Sequence, residues 1–285
     1  MASATPDAVD VTTLSQAPID LEEEYDMSGE RRAFVLCVRQ DRPGAENELK
    51  GLRQFLEELK ISVRECIDPE NQTIIRALKT FRDEMSPQVS CSFVFIMAHG
   101  ELGKIFGIDR GTGVKLKTII SLFDNAKCPV LQLKPKVFVI QACRGDHKDP
   151  GVTFRSMSQV PVEKKLPTLS DTFIVFPSQP GDVSYRDCNT GSLMITHMME
   201  VFRQFKKSLQ LSEFFVKVNQ KMIREEVKIC GDVMKTILVM ESTLSKALYL
   251  APVEDRDHST LISCPNCSLT AKTAKQDSAR AGKQE

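Results

Sequence analysis

A thiol ends an apolar run in Lys136-Val-Phe-Val-Ile-Gln-Ala-Cys-Arg-Gly145, where Cys143 is flanked by Gln141, Arg144 and Gly145. A cysteine works as a nucleophile when it is exposed, has a base in reach and has donors for the oxyanion that forms on attack. Of the four histidines, His147 lies in a charged loop, His197 in a helical stretch and His258 in a polar tail. His99 is different, because it follows the apolar run Ser92–Met97 and is itself followed by Gly100. A lone cysteine is more often a small buried hydrophobe, and a lone strand-end histidine a structural residue. Two strand ends on one sheet edge, one carrying His99 and the other Cys143, make a Cys-His pair suited to acyl transfer.

Those strands have to come from an α/β sheet. Ala33–Val38, Ser62–Cys66, Ser92–Met97, Lys136–Ile140, Asp171–Phe176 and Thr236–Glu241 are short β-branched and aromatic runs of strand length. Between them, 48–60 places Leu49, Leu52, Leu56 and Leu59 on one helical face, and 71–85 does the same with Ile75, Leu78, Phe81 and Met85. Further helices are expected over 116–123, 193–205, 211–228 and 245–249, and a small hairpin in the glycine-rich stretch 100–113. This alternation predicts a mostly parallel central sheet of about six strands with helices on both faces, its ligand edge at the carboxyl ends of the strands.

The 285 residues, 41% hydrophobic, suffice for one large domain. Lys plus Arg and Asp plus Glu both total 38, so no global field draws in nucleic acid, and no apolar run approaches a membrane span. Nine scattered cysteines suit reduced thiols better than a disulfide framework. A cytoplasmic location is expected, with the nucleus open as well. Residues 1–28 are expected to be a disordered leader, too short for an adaptor domain, and 253–285 a disordered tail. Cys264, Cys267 and His258 fall one ligand short of a structural zinc site, and no metal or cofactor is expected.

The pentapeptide Gln141-Ala-Cys-Arg-Gly145, with Ala98-His99-Gly100 upstream, resembles the caspase family of cysteine endopeptidases. The resemblance runs from Tyr25 to Pro252. Within the family, Leu21-Glu-Glu-Glu-Tyr-Asp-Met-Ser-Gly29, Ala98, and Tyr185 where most members carry tryptophan, are similar to the subgroup of epidermal differentiation. The resemblance implies a three-layer α-β-α sandwich made of a large-subunit part (29–150), a linker (151–170) and a small-subunit part (171–252). It implies Cys143 as nucleophile, His99 as the group that manages the proton, and the N–H groups of Gly100 and Cys143 as oxyanion donors. Arg42, Gln141 and Arg186 match the pocket for the aspartate at the cleaved position, Ser192 a supporting serine, and Tyr185 an aromatic wall of the next subsite. Protein substrates and a homodimer of large/small subunit pairs, joined through the final strand, are implied as partners.

The linker departs from the family, since no aspartate lies between Gly151 and Ser170. A separate activating protease, cutting for instance after Arg155 or Lys165, is therefore expected. Two rivals are a catalytically quiet scaffold acting by dimerisation and a flavodoxin-like nucleotide or redox module. The intact Cys143, His99, Arg42, Gln141 and Arg186 set argues against the first. The spacing of the 100–113 glycines, which is not that of a phosphate loop, argues against the second.

Overall fold

The computed structural model describes residues 23–143, 167–181, 184, 186–187, 189, 191–206, 208–225, 227–229 and 232–256. The chain runs β1 (Glu30–Cys37), α1 (Ala45–Glu58), β2 (Ser62–Ile67), α2 (Asn71–Asp83), β3 (Val89–Met97), β4 (His99–Glu101), β5 (Lys104–Phe106), β6 (Val114–Lys115) and α3 (Leu116–Ser121). It continues with β7 (Lys136–Gln141), β8 (Thr172–Phe176), β9 (Arg186–Asp187), β10 (Gly191–Ser192), α4 (Leu193–Phe205), α5 (Leu211–Arg224), β11 (Val227–Ile229), β12 (Asp232–Met234) and β13 (Val239–Ser242).

Six strands form the central sheet in the order β13-β8-β7-β3-β1-β2. All neighbours are parallel except β13, which runs antiparallel to β8. β3, β7 and β8 are buried at every residue, which is why they read as unbroken apolar runs rather than alternating ones. One face is covered by α1, α4 and α5, through Leu52, Phe55, Met198, Phe202, Phe214 and Phe215. The other is covered by α2 and α3, through Ile74, Leu78, Phe81 and Ile119. Each such large apolar side chain, fully buried, contributes roughly 1.5–3 kcal/mol. The expected sandwich of a mostly parallel six-stranded sheet between helices is the observed one.

After β1 the chain adds β2 on one side and then β3, β7 and β8 on the other. The strand order reverses between β1 and β3, so a crevice opens at their carboxyl ends, the usual ligand position in such sheets. The loop after β1 and the residues after β3 both open there.

Several elements differ from the sequence expectation. Residues 23–28 belong to the packed chain: Tyr25 and Met27 are buried, and Glu24 bridges Ala247. The Tyr25 hydroxyl bonds Asp171 and so anchors the segment. Helix α5 stops at Arg224, where Glu225 turns extended, and 227–229 pairs antiparallel with 232–234 instead of ending a helix. The stretch 245–249 is not helical, because Ala247 and Tyr249 are spent on bridges to Glu24 and Gln210. At the other terminus, Val253–Asp255 forms a short 3-10 turn.

Candidate active site

Strands β3 and β7 pair in register from Ser92↔Lys136 to Met97↔Gln141, and Ala98 N donates to Gln141 O at 3.2 Å, carrying the ladder one step further. His99 then leaves that ladder and pairs with Phe106 in the small sheet of β4, β5 and β6. Gly100 is pressed against Ala142 and Cys143, since a Cβ there would lie 2.8 Å from Ala142 Cβ and 2.9 Å from Cys143 O. Only glycine allows this approach of the two backbones. Cys143 is half-buried. Burial pushes up the thiols of Cys37 (to about 11), Cys66, Cys91 and Cys128, which makes them poor nucleophiles.

His99 is half-buried, with Nε2 3.0 Å from Gln40 O and 3.2 Å from Arg110 Nη2. A carbonyl accepts, so the Gln40 contact selects the ring with its proton on Nε2 and leaves Nδ1 as the basic nitrogen. Burial holds the imidazole below its ordinary value; the Gln40 carbonyl opposes this, the Arg110 and Arg42 charges add to it, and Asp41 opposes it.

Below the crevice lies a charged pocket. Arg42 is 5% exposed and its Nη1 donates to Val38 O (2.7 Å) and Met97 O (2.8 Å), which ties the guanidinium to the ends of β1 and β3. Its Nη2 reaches Glu48 Oε2 at 3.3 Å. Arg186 Nη1 donates to the same oxygen at 2.7 Å, and Ser192 N to Glu48 Oε1 at 2.9 Å. The Glu48 side chain is fully buried. Two guanidiniums therefore share one carboxylate, leaving an unbalanced positive charge. Burial lowers the Arg42 guanidinium from its ordinary value, and Glu48 opposes that effect. The hairpin β9–β10 reaches Arg42's loop because Gly191, at φ +94°, leaves room where a Cβ would strike Glu48 Cγ.

Two buried polar atoms, Ser192 Oγ beside this cluster and Gln141 Oε1 at the end of β7, lack a hydrogen-bond partner. Gln141 Nε2 donates to Ser184 Oγ. A hydroxyl both donates and accepts, so Ser184 can serve either amide atom, and a 180° turn of the amide presents Nε2–H to the pocket. Buried polar atoms without partners are uncommon, and Gln141 Oε1 and Ser192 Oγ are free to meet a ligand group.

The structure brings together Cys143, His99, Gly100, Arg42, Gln141, Arg186 and Ser192 from widely separated parts of the chain. Tyr185 lies outside the described residues, as do Arg144, Gly145, Cys264, Cys267 and His258. His197 is buried in α4, with Nδ1 3.0 Å from Glu200, and takes no part in the crevice. Glu48, Gln40 and Ser184 were not foreseen. Glu48 did carry a signal: an acid on the buried stripe Ala45, Glu48, Leu49, Leu52, where a carboxylate needs a cation. Gln40 carried none, because its contribution is a backbone carbonyl.

Comparison with known proteins agrees with this geometry. A caspase-domain family model matches residues 30–249. Caspase-14 of Homo sapiens is 37% identical over 241 residues, covering 82% of this chain and 98% of that protein. Caspase-14 of Mus musculus is 36% identical over 248 residues, 80% of this chain and 95% of that protein. The crystal structure of caspase-1 from Spodoptera frugiperda superposes with a TM-score of 0.70 at 24% identity, covering 84% of this chain and all of that one. The chain belongs to the caspase family. Within its breadth of chemistry that makes it a cysteine peptidase, of a family associated with both apoptosis and differentiation.

Proposed function

We propose that the protein cleaves other proteins on the carboxyl side of aspartate. Cys143 Sγ attacks the scissile carbonyl, His99 takes up the thiol proton and delivers it to the leaving amine, and the N–H groups of Gly100 and Cys143 hold the oxyanion. The aspartate side chain enters between Arg42 and Arg186, accepts from the turned amide of Gln141 and from Ser192 Oγ–H, and balances the pocket's charge. Tyr185 walls the next subsite. The observation that carries this reading is the shared carboxylate: two arginines on one buried Glu48 leave one cation unmatched, and planar guanidinium forks suit a carboxylate.

In this reading the chain works as a large part (29–150) and a small part (171–252) separated by a linker (151–170) that another protease cuts. The outer edge of β13, at the end of the sheet order, pairs with a second copy. The similarity to caspase-14 favours epithelial differentiation as the setting.

The test is peptide turnover by linker-cut protein, with aspartate or asparagine at the cleaved position. Asparagine is expected to be disfavoured by roughly 10³-fold or more, and Cys143→Ala to abolish turnover. Equal rates for the two peptides rule out the pocket assignment.

A further inference from the structure

Arg110 stands beside His99 with no place in the reaction just described. Its Nη2 is 3.2 Å from His99 Nε2 and 2.9 Å from Asp41 Oδ2. Both side chains are exposed, 54% for Arg110 and 64% for Asp41, yet neither backbone is free to wander. The loop bearing Arg110 is fastened to the start of α2: Gly107 N donates to Asn71 Oδ1 (2.9 Å), Ile108 N to Pro69 O (3.0 Å) and Asn71 N to Asp109 Oδ1 (3.0 Å). Asp41 lies inside the turn closed by Arg42 N and Arg39 O at 3.0 Å. Arg110 (φ 48°) and Asp41 (φ 55°) both sit in the left-handed region, which arginine seldom adopts.

Nε2 has a single in-plane bonding position. The Gln40 carbonyl can only accept and so requires a proton there, whereas a guanidinium can only donate and so requires the lone pair. The two contacts are mutually exclusive in the neutral ring. When Nε2–H bonds to Gln40, Nδ1 is free to take a proton; when Arg110 donates to Nε2, the proton sits on Nδ1 and that base is lost. A doubly protonated ring would place a cation against the Arg110 cation. Asp41 works the other way, drawing the guanidinium to itself and offering a negative charge. The Arg42 charge also acts on the ring, and Cys143 follows the neighbouring strand β7.

We propose that Arg110 and Asp41 are positioning residues for His99: a pair of opposite charges that decides which ring nitrogen holds the proton and how readily the ring accepts a second. The proposal rests on reading His99 as the group that handles the proton.

The test follows His99 by NMR in the full chain carrying Cys143→Ala, so that the thiol does not titrate with it. The resonance is assigned by its loss in His99→Gln. Arg110→Gln is expected to raise the titration midpoint by roughly half a pH unit and to move the neutral ring toward the Nε2–H tautomer; Asp41→Asn should lower the midpoint by a similar amount. Arg110→Lys keeps the cation and should stay near the parent. Opposite movements support the charge pair, since a merely structural disturbance has no reason to change sign with the charge removed. Unmoved midpoints, or movement in the same direction, overturn it. Turnover in linker-cut protein with Cys143 intact separates the two layers of argument. Loss of activity in His99→Gln with unmoved midpoints defeats the Arg110 assignment alone, whereas activity retained in His99→Gln defeats the reading of His99 itself.

Discussion

At the amino end of β7, Lys136 is 1% exposed, and its Nζ donates to Leu131 O (2.9 Å), Lys134 O (3.0 Å) and Asn125 Oδ1 (3.4 Å). Beside it Asp171 accepts from the hydroxyls of Tyr25, Ser170 and Ser245, each at 2.7 Å. At the carboxyl end of the same strand, Gln141 Oε1 has no partner, Ser192 Oγ has none, and two arginines divide one carboxylate. In the first cluster the Lys136 ammonium and the Asp171 carboxylate both have their partners within the chain, and they fix how 23–28, β7, β8 and the segment after β13 meet. The second offers spare donors that a carboxylate could accept from: the two guanidiniums, the Ser192 hydroxyl and, with its amide turned, Gln141 Nε2–H. In a low-dielectric interior a satisfied network rigidifies and an incomplete one is costly, so the incomplete end is where function is to be sought.

Substitution at the two ends should separate stability from activity. Asp171→Ala removes the charge that supports the buried Lys136 ammonium and leaves three hydroxyls without their acceptor, and should cost about 1–3 kcal/mol. Calorimetry or denaturant titration reads this as a drop in stability, with kcat of the folded fraction unchanged. Arg186→Ala should instead lower kcat/KM for an aspartate peptide by roughly 10²-fold or more. Its melting temperature should move little, because Glu48 keeps Arg42 and the Ser192 N–H. Glu48→Gln sharpens the contrast. It leaves two guanidiniums with no carboxylate and should destabilise the free protein by about 2 kcal/mol or more, while an aspartate-bearing inhibitor should raise its melting temperature by more than it does for wild type.

Acidification gives a smaller effect with a defined order. Burial acts to push Asp171 up, but the Ser170, Tyr25 and Ser245 hydrogen bonds and the Lys136 charge more than reverse it, so its carboxyl titrates below the ordinary carboxylate range. A depressed acid contributes stability that is present above its unfolded value and lost as pH falls through its folded value. His99 is held below the ordinary imidazole value by burial first, so it stays neutral to lower pH than a free histidine. The acid limb of kcat/KM should therefore lie below pH about 6.5, and the stability that Asp171 contributes should be lost only below the ordinary carboxylate range. Activity should fade while the fold, followed by circular dichroism, remains intact.

Much of this was readable in advance. Runs such as Phe93–Met97 and Val137–Ile140 have no polar residue to place on an outer face, so they announce buried parallel strands. The two strand ends give His99 and Cys143 directly. The strand pair 227–229 and 232–234 was hidden because Glu225 and Glu226 are helix-favouring residues, while the extended backbone of Glu225 ends the helix. The stretch 245–249 has helix-forming residues whose backbone groups are claimed by Glu24 and Gln210, a tertiary choice that local propensity does not encode. Glu48 stood only as the first residue of the expected 48–60 helix, whereas α1 begins at Ala45 and its buried stripe takes in Glu48 beside Leu49 and Leu52.

The central claim is that the incomplete end of β7 is completed by a substrate carboxylate. The most direct measurement is the melting temperature of linker-cut Cys143→Ala protein with saturating peptides that differ only in aspartate or asparagine at the cleaved position. Binding to the folded state alone raises the melting temperature, so the aspartate peptide is expected to stabilise the protein and the asparagine peptide to have little effect at the same concentration. Equal stabilisation by both would contradict the account.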